Sequence, residues 1–336
     1  MFREESPDVF NNLPETYLPD YKSSCWEDTA SGNFHCLPGL YLAGMPKCGS
    51  TDLFDKLVWH PDLWRPGFGK ESHYWTRLRL GAAGAHTVNL PTKPTSFKSY
   101  LGIVTPRGIR GNHGAVLVDG TQSLLWDLDR WEGRHPGLSE PPYTNAELIH
   151  AVTPNATVLV VLRDPTERLF SDYLYFNNPG WGVPGGSSYT ATSFREVVES
   201  EVERFERCVE QRGVRHCCYS SENSRQVRLH LGIYLVYLRD WWARFGGRIK
   251  VVSLERFSRD PVEVLLKTYL FAGVPAPGRR ELETFLGSSG RKNTRPRSQE
   301  RKGKMLPETA DRLRKFYEPY NEELQRFYVE HPDILI

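Results

Sequence analysis

Short apolar runs ending in a glycine or an acidic residue recur along the chain, each followed by a helical pattern. GLYLAG (Gly39–Gly44), GAVLVDG (Gly114–Gly120), TVLVVLRD (Thr157–Asp164) and IKVVSLE (Ile249–Glu255) show no polar alternation, which predicts strands buried on both faces. After the first run, Leu53, Phe54, Leu57 and Val58 share one helical face. TNAELIHAV opens on a Thr144…Glu147 capping box, and SFREVVESEVERFERCVEQ on Ser193…Glu196. VRLHLGIYLVYLRDWWARF and ETADRLRKFYEPYNEELQRFY carry long amphipathic patterns. Apolar strands alternating with helices predict an α/β fold, a three-layer parallel sheet covered on both faces. Residues 1–38, rich in Pro, Asp and Ser, are expected to be an N-terminal arm hugging the surface, and 39–336 a single domain. Residues 80–112 and 177–192 are rich in Gly, Pro, Ser and Asn and are expected to be loops.

The first strand, turn and helix frame candidate chemistry. Gly44-Met-Pro-Lys-Cys-Gly49 followed by Ser50 and Thr51 keeps the glycine frame of a nucleotide phosphate loop. The lysine that should follow the last glycine is absent, and Lys47 stands inside the loop instead. Backbone N–H groups at such a turn still form an anion nest. What is lost is a lysine reaching β- and γ-phosphates. A donor with one phosphate in the nest and a transferable anion beside it would suit a lysine across the loop mouth. The third strand runs into LRDPTERLFSDYLYF, placing Arg163, Arg168 and Ser171 where ligands gather at the carboxyl edge of a parallel sheet. Arg163 as a planar fork and Ser171 as a donor could take a second phosphate.

Composition changes this picture little. The 336 residues carry 43 basic and 41 acidic side chains, and 39% hydrophobic content supports a real core. Half of the fourteen residues from Arg291 to Lys304 are basic, which fits a solvated loop or an anion clamp. No aromatic side chains interleave that run, so nucleic acid is not the expected partner. No apolar run approaches a membrane helix and the start is not a signal peptide, so the chain is expected to be soluble, any membrane anchor lying outside it. Cysteines at 25, 36, 48, 208, 217 and 218 include no paired C-x-x-C, which argues against zinc. Cys25 with Cys36, and Cys208 with Cys217 or Cys218, would close short loops. Asn155-Ala-Thr157 is a glycosylation sequon. Together these suggest an oxidising, secretory-pathway compartment.

PKCGST followed by LRDPTERLFSDY resembles the 5′- and 3′-phosphate signatures of Golgi carbohydrate sulfotransferases, which use 3′-phosphoadenosine 5′-phosphosulfate. GKESHYW (Gly69–Trp75) is similar to the Lys-Glu-x-His segment of the heparan and chondroitin branches. VVSLERFSRDPVEVLLKTYLFAGV and ERKGKMLPETADRLRKFYEPYNEEL resemble the later strand–helix segment and the closing Lys-Gly loop with its final helix. The resemblance spans roughly residues 38–330 in order, and AGMPKCGSTDLFDKL is nearest the branch that sulfates the 6-hydroxyl of N-acetylgalactosamine 4-sulfate.

That resemblance implies a glycosaminoglycan acceptor, chondroitin or dermatan sulfate, and a Golgi location with a type II anchor outside this chain, or secretion after cleavage. It implies Glu71 as the base, His73 as its competitor, Lys47 at the leaving oxygen and Lys70 at the sulfuryl group. Lys47, Cys48, Gly49, Ser50, Thr51 and Asp52 would line the 5′-phosphate. Arg163 and Ser171, with Lys302, Gly303 and Lys304, would take the 3′-phosphate. The scheme requires no metal. His73, Trp75, Arg77 and Arg79, with Asp119, Thr121, Gln122, Ser123 and Trp126 after the second strand, are candidates for the acceptor, since indoles stack on sugars and arginines pair with sulfate. The alternatives are a heparan-type or other carbohydrate sulfotransferase, then a P-loop kinase using Asp119 as the acid that holds magnesium, and a glycan-binding protein without catalysis.

Overall fold

The computed structural model describes residues 1–29, 31–80, 96–128, 130–176, 190–220, 227–290 and 304–336. Seven strands are present among them: β1 (Ser24–Glu27), β2 (Phe34–Leu37), β3 (Leu40–Gly44), β4 (Leu63–Trp64), β5 (Val116–Asp119), β6 (Thr157–Leu162) and β7 (Ile249–Ser253). The four expected strands are β3, β5, β6 and β7. With β4 they form one sheet in the order β4-β5-β3-β6-β7, every neighbouring pair parallel. β4 was not expected, because two residues carry no periodicity. The run Val158–Leu162 is buried throughout, each such side chain contributing roughly 1.5–3 kcal/mol.

The strand order sets where a ligand can sit. After β3 the chain moves to one side of the sheet, toward β5 and β4; after β6 it moves to the other, toward β7. The loops leaving β3 and β6 therefore diverge and open a crevice at the carboxyl edge between them. Their register runs from Leu40 opposite Thr157 to Gly44 opposite Val161, so both loops start at the same level.

Helices cover the sheet, with several departures from expectation. The Thr144–Glu147 capping box forms at the start of Asn145–Val152. The helix assigned to start at Ser193 starts earlier: it spans Ala191–Arg212 with Thr190 as cap, and Ser193 is the residue whose side chain closes the box. The Thr190 hydroxyl accepts from Ser193 N–H at 2.9 Å, so Glu196 lies inside the helix. Part of the loop expected at 80–112 is a helix, Phe97–Val104, capped by Ser96. Its buried Phe97, Tyr100, Leu101 and Val104 have the helical spacing that the Gly and Pro around them obscured. The pattern starting at Val227 is broken: a 3₁₀ turn, Leu229–Gly232, precedes the helix Tyr234–Phe245. The closing helix, Pro307–Glu330, presses Tyr317 so near Gly232 that a Cβ there would lie 2.5 Å from the ring.

The arm carries the antiparallel β1–β2 hairpin, cross-linked by Cys25–Cys36 at directly opposed positions. Val9, Trp26 and Leu37 of the arm join the same buried cluster as the sheet. The second disulfide is Cys208–Cys217, which leaves Cys218 and Cys48 as buried free thiols. Among the described residues no helix is long and apolar enough to cross a membrane.

Gly44 is the tightest point of the β3–β6 pairing. Its φ is 148°, and a Cβ there would lie 2.7 Å from the backbone oxygen of Val161. Gly44→Ala is therefore expected to lose roughly 2 kcal/mol or more, seen as a lower urea midpoint. Gly102→Ala, inside Phe97–Val104 with nothing within 4 Å of the added Cβ, is expected to raise it.

Candidate active site

The loop after β3 ends on Gly49, which caps the helix Ser50–Leu57 with φ 82°; a Cβ would meet Leu254 Cδ1 at 2.5 Å. The first turn bond runs from Leu53 N–H to Gly49 O at 3.2 Å. The N–H groups ahead of it belong to an open helix N-terminus, which favours an anion. Lys47 holds a left-handed backbone, φ 69°. Its ammonium lies 3.8 Å from the ring centroid of Tyr175, on the helix Pro165–Phe176. Its carbonyl accepts from the Arg163 guanidinium at 3.4 Å, so the loop and the end of β6 are joined directly.

The Lys70–His73 segment enters the same mouth. Lys70 Nζ is 3.3 Å from Ser50 Oγ and is paired with Glu71 Oε1. Glu71 Oε2 lies 3.3 Å from His73 Nε2, while His73 Nδ1 lies 3.0 Å from Ser123 Oγ. Burial by itself would raise the Glu71 carboxyl, but the His73 hydrogen bond and the Lys70 charge outweigh it and bring the pKa down to about 2. The segment is pinned to the end of β5. Gly120 N–H donates to Lys70 O at 2.9 Å, Ser72 N–H to Thr121 Oγ1 at 3.0 Å, and the Ser72 hydroxyl to Asp119 Oδ2 at 3.3 Å.

Residues 142–324, more than half of the chain, match the Sulfotransferase domain family. The chain belongs to that family. Carbohydrate sulfotransferase 15 of Homo sapiens is 28% identical over 94% of this chain and 65% of its own length, and the Rattus norvegicus protein 29% over the same shares. Heparan sulfate glucosamine 3-O-sulfotransferase 6 of Homo sapiens is 24% identical over 87% of this chain and 71% of its own. The chain thus spans about 65% of the length of the carbohydrate sulfotransferases it matches. A sulfotransferase from Alicyclobacillus acidocaldarius shares the fold, with a TM-score of 0.50 at 19% identity over 87% of this chain and 95% of that one.

In this sulfotransferase domain the candidate donor residues divide by what they can offer. Arg163 is partly exposed, 3.4 Å from Glu167, and Ser171 is half-buried on the helix that follows. Arg168 was grouped with them but is buried: it bonds Arg228 O at 2.7 Å and Asp172 at 3.4 Å, so it braces the fold instead of meeting a ligand. The Cys48 thiol is buried and pushed up to about 12 by that burial. The Asp52 carboxylate is engaged with Lys56 at 2.5 Å. Both can therefore serve a phosphate only through their backbone. Lys304 is exposed just before the closing helix; Lys302 and Gly303 lie outside the described residues. No group of three or more His, Cys, Asp or Glu side chains is arranged for a metal among the described residues.

Several acceptor candidates are corrected. Trp75 is fully buried among Tyr74, Phe97 and Tyr100, its Nε1 donating to Tyr100 Oη at 3.1 Å, so its face cannot meet a sugar. Arg79 turns inward to Trp75 O at 2.8 Å and Ser6 at 2.9 Å. Trp126 is nearly buried, with the Arg228 guanidinium 5.6 Å from its ring. Arg77 is tied to Asp127 at 2.5 Å. Ser123 holds His73, and Thr121 holds Ser72. Gln122 Oε1 and Trp126 Nε1 are buried without a hydrogen-bond partner, the two acceptor candidates with an unused polar atom among the described residues. Asp119 is fully buried with both oxygens occupied, Oδ1 accepting from Thr121 N–H at 2.8 Å and Oδ2 from Ser72. It is a brace, neither a sugar contact nor the open magnesium ligand a kinase needs. Asn155 is exposed at the opposite, amino edge of β6.

Pattern reading missed Asp172, Tyr175 and Arg228. Arg228 is bidentate to Asp172, at 2.9 Å through Nε. Tyr175 follows Ser171 by four residues on one helix, hence on the same face. That spacing was available in the sequence; the proximity of Lys47 was not.

Burial raises the Asp119 pKa from 3.8 to about 6, against hydrogen bonds from Thr121 and Ser72 that lower it. The folded protein therefore holds this proton more tightly than the unfolded chain, so its contribution is full below pH 3.8 and is lost as pH rises to about 6. Asp119→Asn removes this loss. Urea unfolding across that range should show the variant gaining on the wild type by about 3 kcal/mol, then staying level at higher pH.

Proposed function

We propose that this domain transfers a sulfuryl group from 3′-phosphoadenosine 5′-phosphosulfate to a sugar hydroxyl of a glycosaminoglycan. The acceptor we favour is the 6-hydroxyl of N-acetylgalactosamine 4-sulfate in chondroitin or dermatan sulfate. The observation that carries this is the shared mouth: Lys70 Nζ lies 3.3 Å from Ser50 Oγ at the helix start and pairs with Glu71. A loop for a phosphate and a carboxylate for a hydroxyl proton thus face one space. The carbohydrate sulfotransferases among the relatives support the acceptor class.

The backbone of Gly49 to Asp52 fits the 5′-phosphate, because the left-handed Gly49 leads straight into the N-terminus of the helix Ser50–Leu57. Arg163 and Ser171 suit the 3′-phosphate, helped by the basic loop around Lys302, Gly303 and Lys304. Sulfuryl transfer forms a bond from the acceptor oxygen to sulfur and breaks the bond from sulfur to the bridging oxygen, in line. Glu71 takes the hydroxyl proton, and Lys47 compensates the charge left on the bridging oxygen. With both nitrogens of His73 engaged, the imidazole orients Glu71 and Ser123 orients the imidazole. A carboxylate with a pKa of about 2 is a weak base. If Lys70 turns from Glu71 toward the sulfuryl oxygens, its share of that depression relaxes as the acceptor proton must be taken, while the larger His73 hydrogen bond remains. Positive side chains supply the charge compensation at every oxygen in this scheme.

The two disulfides fit the Golgi lumen. Asn155, exposed and far from the mouth, suits glycosylation.

Incubation with radiolabelled donor and either chondroitin 4-sulfate or heparan sulfate, followed by disaccharide analysis, tests the assignment. Label on the 6-position of N-acetylgalactosamine 4-sulfate is expected; label on heparan alone moves the acceptor, and no label in either product overturns the proposal. Glu71→Gln should lower kcat about 10²–10⁴-fold with binding of adenosine 3′,5′-bisphosphate retained. Arg163→Ala should weaken that bisphosphate roughly ten-fold or more in calorimetry, while adenosine 5′-phosphate binding changes little.

A further inference from the structure

Tyr175 belongs to no phosphate signature, yet it links two parts of the mouth. The Lys47 ammonium lies 3.8 Å from its ring centroid, close enough for a strong cation–π contact. Ser171 precedes it by one helical turn, so the ring extends the face proposed to meet the 3′-phosphate. Burial raises its phenol, and the charge of Glu71 raises it further. A neutral aromatic face at this spot attracts a cation without neutralising it. An acidic side chain there would instead pair with Lys47 and compete with the donor.

The backbone of Lys47 adds a reason for such a support. Its left-handed φ of 69° is uncommon for a residue with a long side chain. A four-carbon stem leaving a strained turn has many rotamers open to it, and the ring restricts them.

We infer that Tyr175 is a positioning residue for sulfuryl transfer, its ring holding the Lys47 ammonium at the loop mouth where the leaving oxygen develops charge. This rests on the role of Lys47 proposed above. The phenol hydroxyl is not required for it; the π face is. The contact bears on the transition state more than on the bound ground state, because charge on the leaving oxygen appears only as the bond breaks.

The test compares Tyr175→Leu, Tyr175→Phe, Lys47→Ala and the Lys47→Ala/Tyr175→Leu pair in donor and acceptor kinetics, with adenosine 3′,5′-bisphosphate binding measured alongside. Tyr175→Leu should lower kcat about ten-fold, with the KM for the acceptor unchanged. Tyr175→Phe should restore most of that rate, since it returns the ring without the hydroxyl. In the Lys47→Ala background, Tyr175→Leu should have no further effect. An active wild type whose rate is untouched by Tyr175→Leu overturns the inference and leaves the proposed function standing. So does a Phe variant as slow as the Leu variant, or an effect undiminished without Lys47. A wild type that transfers no sulfate overturns the proposed function itself. If the leucine variant fails to fold by its thermal transition, Tyr175→Met carries the same comparison with a longer, flexible apolar side chain.

Discussion

β3 and β6 lie side by side in register, Gly44 opposite Val161, and that pairing sets where both halves of the proposed donor site begin. One strand delivers the glycine-framed turn and the other delivers Arg163, and the two are already bonded through the Lys47 carbonyl. The close approach depends on a residue without a side chain, since any Cβ on Gly44 would press on the Val161 carbonyl. The strand order then supplies the crevice, because the chain departs in opposite directions after β3 and β6.

A second level of organisation is electrostatic, and it keeps charges in place instead of cancelling them. Asp172, fully buried, would be raised by that burial, but Arg228 and Arg168 hold it below the usual carboxylate range. Their guanidiniums are thereby fixed beside the helix that carries Ser171 and Tyr175. On the facing side, Glu71 is held between Lys70 and His73. Asp119 is a third acid with a different environment: burial outweighs its hydrogen bonds, its pKa rises, and its oxygens serve Ser72 and Thr121. Three carboxylates near one mouth are separated in behaviour by their neighbours alone.

The same contrast explains which site residues the sequence disclosed. A glycine frame around a turn and an arginine at a strand end are local patterns, and the structure places both where the patterns implied. Trp75, Arg79 and Arg168 looked equally promising by type and proximity, and each is turned into the protein. Residue type reports what a side chain can do in the open; it does not report which way the backbone faces. His73 illustrates this, since its left-handed φ of 50° directs the ring to Glu71 and Ser123.

By itself the sequence determined the strand–helix alternation, four of the five strands of the parallel sheet, the glycine-framed turn after β3 and the first disulfide loop. These follow from apolar runs, glycine placement and short spacings, which act over a few residues. Tertiary structure alone decided the two-residue β4, the partner of Cys208, the inward turn of Trp75 and the meeting of Lys47 with Tyr175. In the last case 128 positions of chain separate the two side chains, and only the packing of one helix against one loop brings a cation onto a ring. Local propensity has no term for such a contact. It exists because the sheet fixes the origins of both segments.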